Sequence, residues 1–225
     1  EGTKLAEIAA EYQNRFENDI VLAMVDNKLS ELGQTIKDKS SISFLATDTI
    51  CGNETYRRSV VMVMLKAFYD IYGQKIKGIN VMYSLSRGYY CEIEGEVSVK
   101  EDVLKQVKER MNEIVQADIP FEKRVVSTND AILFFREHGM YDKERLFRFR
   151  RSSRVNVYRL NKFEDYFYGY MVLSTGYLKK FELYPYDEGF VLQMPVKENP
   201  KEVPQFRPQA KVFGILKESS RWGTL

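Results

Sequence analysis

The chain has 225 residues, 44% of them hydrophobic and 13% aromatic, so it can bury a substantial core, and its length fits two compact domains better than one. A formal net charge of +2 and an isoelectric point near 8.4 fall short of the basic excess of a dedicated nucleic-acid-binding protein, so only local charge can serve that role. No run of about 18 uncharged apolar residues exists to span a bilayer, and no secretory signal opens the sequence, which predicts a soluble, cytoplasmic protein without a membrane partner.

The first 50 residues predict a small α+β module. The segment EGTKLAEIAAEY predicts a short helix that is capped by Thr3 and has Leu5, Ile8 and Ala9 on one stripe. IVLAMVDNKLSEL predicts two strands joined by a tight Asp-Asn turn, and SSISFLA predicts a third strand. Because the sequence starts close to the helix, we expect the first strands of such a module to be missing.

Residues 52–195 predict an antiparallel sheet packed by helices, which makes the fold class α+β. After a loop at DTICGNET, an apolar helix is expected from about Tyr56 to Tyr72, with its end at Gly73. GINVMYSL and RGYYCEIEGEV alternate like paired strands, and EDVLKQVKERMNEIVQ has the apolar face of a helix packed on a sheet. Another helix is expected in STNDAILFFREHG, followed by several strands from Phe147 to Leu192.

Residues 196–225 predict a proline-rich linker and the start of a following domain. Four of the six prolines lie in or next to this stretch, at Pro195, Pro200, Pro204 and Pro208. Such a composition is typical of an extended connector. The segment after it, KVFGILKESSRWGTL, is amphipathic.

The sequence lacks the residue patterns of the common catalytic and cofactor sites. No GxxxxGK[ST], GxGxxG or GxSxG occurs, and His138 is the only histidine. Its place before Gly139 is typical of the last turn of a helix. Cys51 and Cys91 are too few for a disulfide framework and are expected to be small buried side chains. We therefore predict no catalytic residue, no bound cofactor and no metal site in this chain.

The densest basic segment is ERLFRFRRSSRVNVYRL. Arg148 and Arg150 alternate with phenylalanines, and Arg151 and Arg154 flank a Ser-Ser pair that is typical of a turn. A hairpin with these arginines on one face predicts contact with phosphate or RNA. The alternative is a solvated strand face whose arginines pair with some of the 32 acidic side chains.

The order and spacing of several segments resemble the N-terminal half of threonyl-tRNA synthetases. In that family a β-grasp module called TGS precedes an editing domain that hydrolyses mischarged tRNA. GTKLAEIA, LAMVDNKLSEL and IKDKSSISFL resemble the TGS pattern, and YRRSVVMVMLKAFYDIYG, RGYYCEIEG and FEDYFYGYMVLSTG resemble segments of the editing domain. The resemblance covers about residues 2–192 and implies a TGS-like module at 1–50 and an editing-like domain at 52–195.

The positions that carry the chemistry of the editing family are replaced. That family uses an H-x-x-x-H pair on a helix and a C-x-x-x-H pair in a later segment, and the matching positions here hold Arg58, Met62, Phe167 and Met171. Arginine has no free lone pair, phenylalanine has no donor atom, and thioethers are poor ligands for Zn²⁺. The resemblance therefore implies a vestigial editing pocket, either packed with Met and Phe or turned to another ligand.

A TGS module joined to a degenerate editing domain is similar to the N-terminal region of bacterial nucleoside kinases of the uridine kinase and phosphoribulokinase type. That resemblance implies a covalently linked C-terminal kinase domain, with ATP and Mg²⁺ as cofactors of that domain only. The first hypothesis is thus a non-catalytic binding or regulatory region, whose pocket can admit a small ligand beside Arg58. The alternatives are an RNA- or tRNA-binding module and an editing hydrolase of mischarged tRNA with unusual site residues.

Overall fold

The computed structural model describes residues 2–36, 39–137, 141–149 and 154–222. Within these ranges the chain is α+β, with antiparallel sheets packed by helices, which confirms the predicted fold class. The helices are α1 (Leu5–Tyr12), α2 (Ile50–Tyr72), α3 (Glu101–Gln116), α4 (Thr128–Glu137), α5 (Tyr141–Arg148) and α6 (Ala210–Trp222). The strands are β1 (Thr3–Lys4), β2 (Ile20–Val25), β3 (Lys28–Glu31), β4 (Thr35–Ile36), β5 (Ile42–Ala46), β6 (Ile76–Leu85), β7 (Gly88–Gly95), β8 (Glu122–Ser127), β9 (Arg154–Leu160), β10 (Phe163–Tyr166), β11 (Glu182–Tyr186) and β12 (Gly189–Gln193).

The N-terminal module consists of α1 and strands β1 to β5. Its main sheet has the order β3-β2-β5, and α1 packs on it through Leu5 and Ala9, which are buried. The turn between β2 and β3 places Asp26 and Asn27 at φ 48° and 63°. Short polar side chains tolerate this left-handed conformation, and two such residues make the tight turn that joins antiparallel strands. These strands and this turn agree with the prediction from the sequence.

The predicted helix cap at Thr3 is wrong. Thr3 lies in β1, where it pairs with Ile36 of β4, and the residue before α1 is Lys4, which makes no capping hydrogen bond through its side chain. Backbone pairing with β4 therefore keeps Thr3 extended and away from the helix end.

Helix α2 runs through the centre of the fold and is longer than the sequence predicts. It begins at Ile50 instead of near Tyr56, because the Thr49 hydroxyl accepts a hydrogen bond from the Gly52 amide at 3.1 Å. It ends at Gly73, whose φ of 51° is favoured by glycine. Most of its side chains are buried, so its sequence shows no single apolar stripe.

The larger sheet has the strand order β11-β12-β7-β6 and is covered on both faces. Helices α2 and α3 pack on one face, while Phe206 and Phe213 of the C-terminal segment pack near Tyr90 and Tyr186 on the other. Strand β12 alternates accordingly: Phe190 and Leu192 belong to the central core, and Val191 belongs to the second cluster. Covering on both sides explains why every residue of β12 is buried.

The remaining sheet has the order β10-β9-β8 and carries α4 and α5. The strand predicted around Phe147 and Arg148 is wrong, because both residues belong to α5. Phe147 is 1% exposed whereas Phe149 is 88% exposed, so the two phenylalanines do not share one buried strand face. Residues 150–153, with the predicted Ser-Ser turn, and the predicted helix end at His138 and Gly139 lie outside the described residues.

None of the helices in the described part of the chain combines the length and the apolar character that crossing a bilayer requires.

The cap of α2 gives a direct test of the longer helix. Replacing Thr49 by Ala removes the acceptor for the Gly52 amide, so we expect the free energy of unfolding to fall by about 1 kcal/mol. Thr49→Ser is the matched control, because it keeps the hydroxyl. Chemical denaturation of the three proteins provides the measurement, and equal stability of the Ala variant would place the start of the helix after Thr49.

Candidate functional site

The two segments predicted to share a site are in direct contact. Ser59, which is fully buried on α2, accepts a hydrogen bond from the Val172 amide at 3.0 Å and lies 3.4 Å from the Met171 sulfur. The same hydroxyl lies 2.8 Å from the Thr55 carbonyl, to which it donates. The helix and the segment after β10 are therefore held together at the level of Met171.

Arg58 stands one residue away on the same helix and also contacts this segment. Its Nη1 donates to the Tyr170 carbonyl at 2.9 Å. The guanidinium lies against Gly169, where a Cβ would come within 2.5 Å of Cζ, and Gly169 has a φ of 116°. A glycine is needed here both for this conformation and for the space that the arginine fills. Arg58 can donate hydrogen bonds but cannot accept a proton.

The other three predicted pocket positions are occupied by apolar side chains. Met62 and Met171 are 0% and 1% exposed, and both belong to the central core cluster. Phe167 is half-buried and packs against the same cluster. These side chains supply packing contacts, and neither methionine presents its sulfur to solvent.

A carboxylate from the N-terminal module reaches into this region. Glu31, the last residue of β3, accepts hydrogen bonds from the Met171 amide at 2.9 Å and from the Tyr158 hydroxyl at 2.6 Å. Lys123 lies 3.2 Å from its other oxygen. With a side chain 13% exposed, Glu31 is a largely buried anion whose charge is compensated by a cation and two donors. It joins the N-terminal module to the predicted pocket.

Tyr158 is kept as a neutral donor beside Glu31. Its hydroxyl has a single proton and lies 2.6 Å from Glu31 and 2.7 Å from the Gly169 carbonyl, so these two acceptors share it. Burial, and then the negative charge of Glu31, raise the pKa of Tyr158 well above its usual range. A phenol held in this form cannot serve as a base near neutral pH.

The described residues offer no alternative set of metal ligands, and one of the two thiols is buried. No three His, Cys, Asp or Glu side chains within these ranges are close enough together to hold a metal ion. Cys51 and Cys91 are both free, and burial raises the pKa of Cys91 to about 12. Cys91 therefore stays a thiol near neutral pH and packs in the core.

Two of the four predicted phosphate-binding arginines, Arg148 and Arg154, lie within the described residues. Arg148 lies in α5 and forms an ion pair with Glu144 at 2.6 Å, one helical turn away. Arg154 is exposed at the start of β9, so the two described arginines belong to different elements. Arg150 and Arg151 lie outside the described residues.

Sequence reasoning missed a different group of arginines. Arg57, Arg87 and Arg207 line two adjoining cavities where the β6–β7 turn meets the segment before α6. They are separated by 30 and 120 residues in the sequence, so no local run of basic residues reveals them. The sequence shows only the Ser86-Arg87 pair between two alternating strands, which predicts a tight turn. It does not indicate which distant residues pack beside that turn.

The chain is similar to a region of threonine–tRNA ligases. It is 29% identical over 178 residues to the enzyme of Halorhodospira halophila, a match that covers 79% of this chain and 28% of that protein. It is 28% identical over 186 residues to the enzyme of Syntrophotalea carbinolica, covering 81% of this chain and 29% of that protein. It is also 28% identical over 178 residues to the enzyme of Carboxydothermus hydrogenoformans, covering 79% of this chain and 28% of that protein.

The chain thus spans a little over a quarter of the length of these curated relatives. No protein-family model matches it. The similarity supports the predicted threonyl-tRNA-synthetase-like character of the chain.

Glu31 is the residue whose replacement tests this arrangement. In Glu31→Ala the Met171 amide, the Tyr158 hydroxyl and the Lys123 ammonium lose a shared partner, so we expect the free energy of unfolding to fall by about 2–4 kcal/mol.

Glu31→Gln is the matched control, because it keeps one acceptor oxygen of similar shape while it removes the charge. Its loss of stability is expected to be smaller than that of the Ala variant, as measured by urea denaturation. If Glu31→Ala is as stable as the unchanged protein, the carboxylate does not join the module to the pocket.

Proposed function

We propose that this chain is a non-catalytic RNA-binding region with tRNA as its ligand. The observation that supports a non-catalytic role is the set of side chains that occupy the predicted editing pocket. Arg58 is bonded to the Tyr170 carbonyl, and Met62 and Met171 are buried. Hydrolysis of an ester needs a general base or a metal-bound hydroxide, and neither can be assembled from these side chains.

Support for tRNA binding comes from the relatives. They are named threonine–tRNA ligases, and the similarity extends over about 80% of this chain. Catalysis depends on a few atoms in fixed positions, whereas binding of nucleic acid depends on charges spread over a surface. A chain can therefore lose the reaction by four substitutions and keep the binding surface.

Two assays on the same protein test this proposal. We expect tRNA to bind with a dissociation constant on the order of micromolar at low salt, and the affinity to fall steeply as salt is raised. In a deacylation assay with mischarged tRNA we expect no acceleration over the buffer rate.

Arg58→Ala is the control for the second assay, and it should leave the deacylation rate at the level of the buffer. Turnover by the unchanged chain that disappears in Arg58→Ala would restore the editing hydrolase. Failure to bind tRNA at low salt would contradict the RNA-binding half of the proposal.

A nucleoside kinase context is the second candidate, and one observation favours it. A synthetase that corrects its own errors needs a working deacylation site, so the loss of that chemistry at Arg58, Met62, Phe167 and Met171 fits a protein with another task. On this proposal a kinase domain with ATP and Mg²⁺ is linked to this region, which itself performs no phosphoryl transfer.

The kinase proposal predicts a measurable activity in the full-length gene product. That protein should convert uridine to its monophosphate with ATP and Mg²⁺, while the 225-residue chain alone should not. Radiolabelled phosphate transfer measured on both proteins distinguishes the cases. An inactive full-length protein that lacks a phosphate-binding loop would contradict the proposal.

A further inference from the structure

A groove beside the β6–β7 turn, at one end of the larger sheet, has the features of a binding site for a polyanion. A cavity of about 610 Å³ lies between the β6–β7 turn and the segment before α6, and a second cavity of about 410 Å³ adjoins it. The two cavities share Ser84 and Arg87. Arg207 lines the first cavity, and Arg57 and Tyr89 line the second. We call this surface the arginine groove.

The walls of the arginine groove are tied together by hydrogen bonds at the turn. The Arg207 amide donates to the Ser86 hydroxyl at 3.0 Å, and Gln193 Nε2, from a fully buried side chain, donates to the Ser86 carbonyl at 2.7 Å. Arg57 Nη2 donates to the Arg87 carbonyl at 2.9 Å. These bonds connect α2, the turn, β12 and the C-terminal segment, so the groove is formed before any ligand arrives.

The C-terminal wall is also anchored by aromatic packing. Phe206, next to Arg207, lies 5.5 Å from the Tyr184 ring and 5.3 Å from the Tyr186 ring, measured between centroids. Contacts between aromatic rings add stabilisation beyond that of burying their apolar surface. Arg207 therefore extends from a fixed segment even though its own side chain is exposed.

Three arginines and two glutamates line the arginine groove, and these arginines form no ion pair within the described residues. Among the described residues no carboxylate lies within 4.0 Å of the guanidinium nitrogens of Arg57, Arg87 or Arg207. Other arginines differ, since Arg110, Arg124, Arg136, Arg148 and Arg159 each form an ion pair. Glu54 and Glu198 line the second cavity. The first cavity has Arg87 and Arg207 and no carboxylate among its lining residues. Cations that lie close together repel one another, and a bound anion relieves that repulsion.

The chemistry of the arginine groove matches a phosphodiester backbone. Guanidinium groups bind phosphate oxygens through two parallel hydrogen bonds, and Arg57 is stacked over the Tyr89 ring at 4.6 Å, which fixes its plane. Ser84, Gln205 and Gln209 add hydroxyl and amide groups of the kind that contact phosphate and ribose. Two joined cavities with cations in both exceed what one small anion needs. We propose that the arginine groove holds the sugar-phosphate backbone of RNA, an inference that rests on the proposed tRNA binding.

The test compares two double variants that remove the same charge. Arg87→Asn with Arg207→Gln removes two cations of the groove, and asparagine is chosen because Arg87 has a φ of 68°, which asparagine tolerates. Lys28→Gln with Lys162→Gln is the matched control, since both lysines are exposed near hairpin turns and neither lines the groove. Binding of tRNA is measured over a range of salt concentrations, after thermal unfolding has verified that each protein is folded.

The groove variant is expected to bind tRNA roughly tenfold more weakly at low salt, with the slope of log affinity against log salt reduced by about two, while the control keeps a slope near that of the unchanged protein. If the unchanged protein binds and the groove variant binds equally well, the groove inference fails and the proposed function stands. Equal losses in both double variants would mean diffuse attraction and would also overturn it.

If the unchanged protein does not bind tRNA at low salt, the proposed function and this inference both fail. If the groove variant does not fold, Arg207→Gln alone, on an exposed side chain, gives the same comparison with a slope reduced by about one. An unchanged slope in that single variant would overturn the assignment of Arg207.

Discussion

The carboxylate of Glu31 is a largely buried charge, and a buried charge must find compensation or the fold becomes unstable. Its partners come from separate parts of the chain: Lys123 on β8, Tyr158 on β9 and the Met171 amide after β10. Each partner is thereby fixed relative to the N-terminal module. Glu31 on β3 binds the Met171 amide, and Ser59 on α2 contacts the Met171 sulfur. The position of the segment after β10 therefore depends on both β3 and α2.

The frame of the predicted pocket relies mainly on backbone atoms. Glu31 binds the Met171 amide, Ser59 binds the Val172 amide, and Arg58 binds the Tyr170 carbonyl. A backbone amide or carbonyl is present whatever side chain its residue carries. The side chains of the predicted pocket can therefore change without loss of these hydrogen bonds. Buried methionines then stabilise the fold by filling the space, since their flexible chains adapt to irregular gaps.

Local signals in the sequence were sufficient for part of the fold. The alternation of Ile42 and Phe44 and the tight turn at Asp26 concern neighbours in sequence, and these predictions were confirmed. The start of α2 was missed because ICGNET contains poor helix formers, and burial of Asn53 and Thr55 overrides that preference. The strand predicted at Phe147 failed for a related reason: ion pairs at helical spacing and packing against Tyr166 favour α5.

The candidate site shows the same limit, because sequence patterns do not reveal which distant residues the fold brings together. The contact between α2 and the segment after β10 could be predicted because both follow a family pattern. The arginine groove, in contrast, depends on residues that are brought together by the β6–β7 turn and the C-terminal segment. The net charge of +2 did not predict this groove either, because it sums all charged residues and does not show which cations are paired. Glu122, Glu144 and Glu164 pair with arginines elsewhere, whereas the three arginines of the groove form no ion pair within the described residues. Local charge on this chain is therefore a property of the fold and not of its composition.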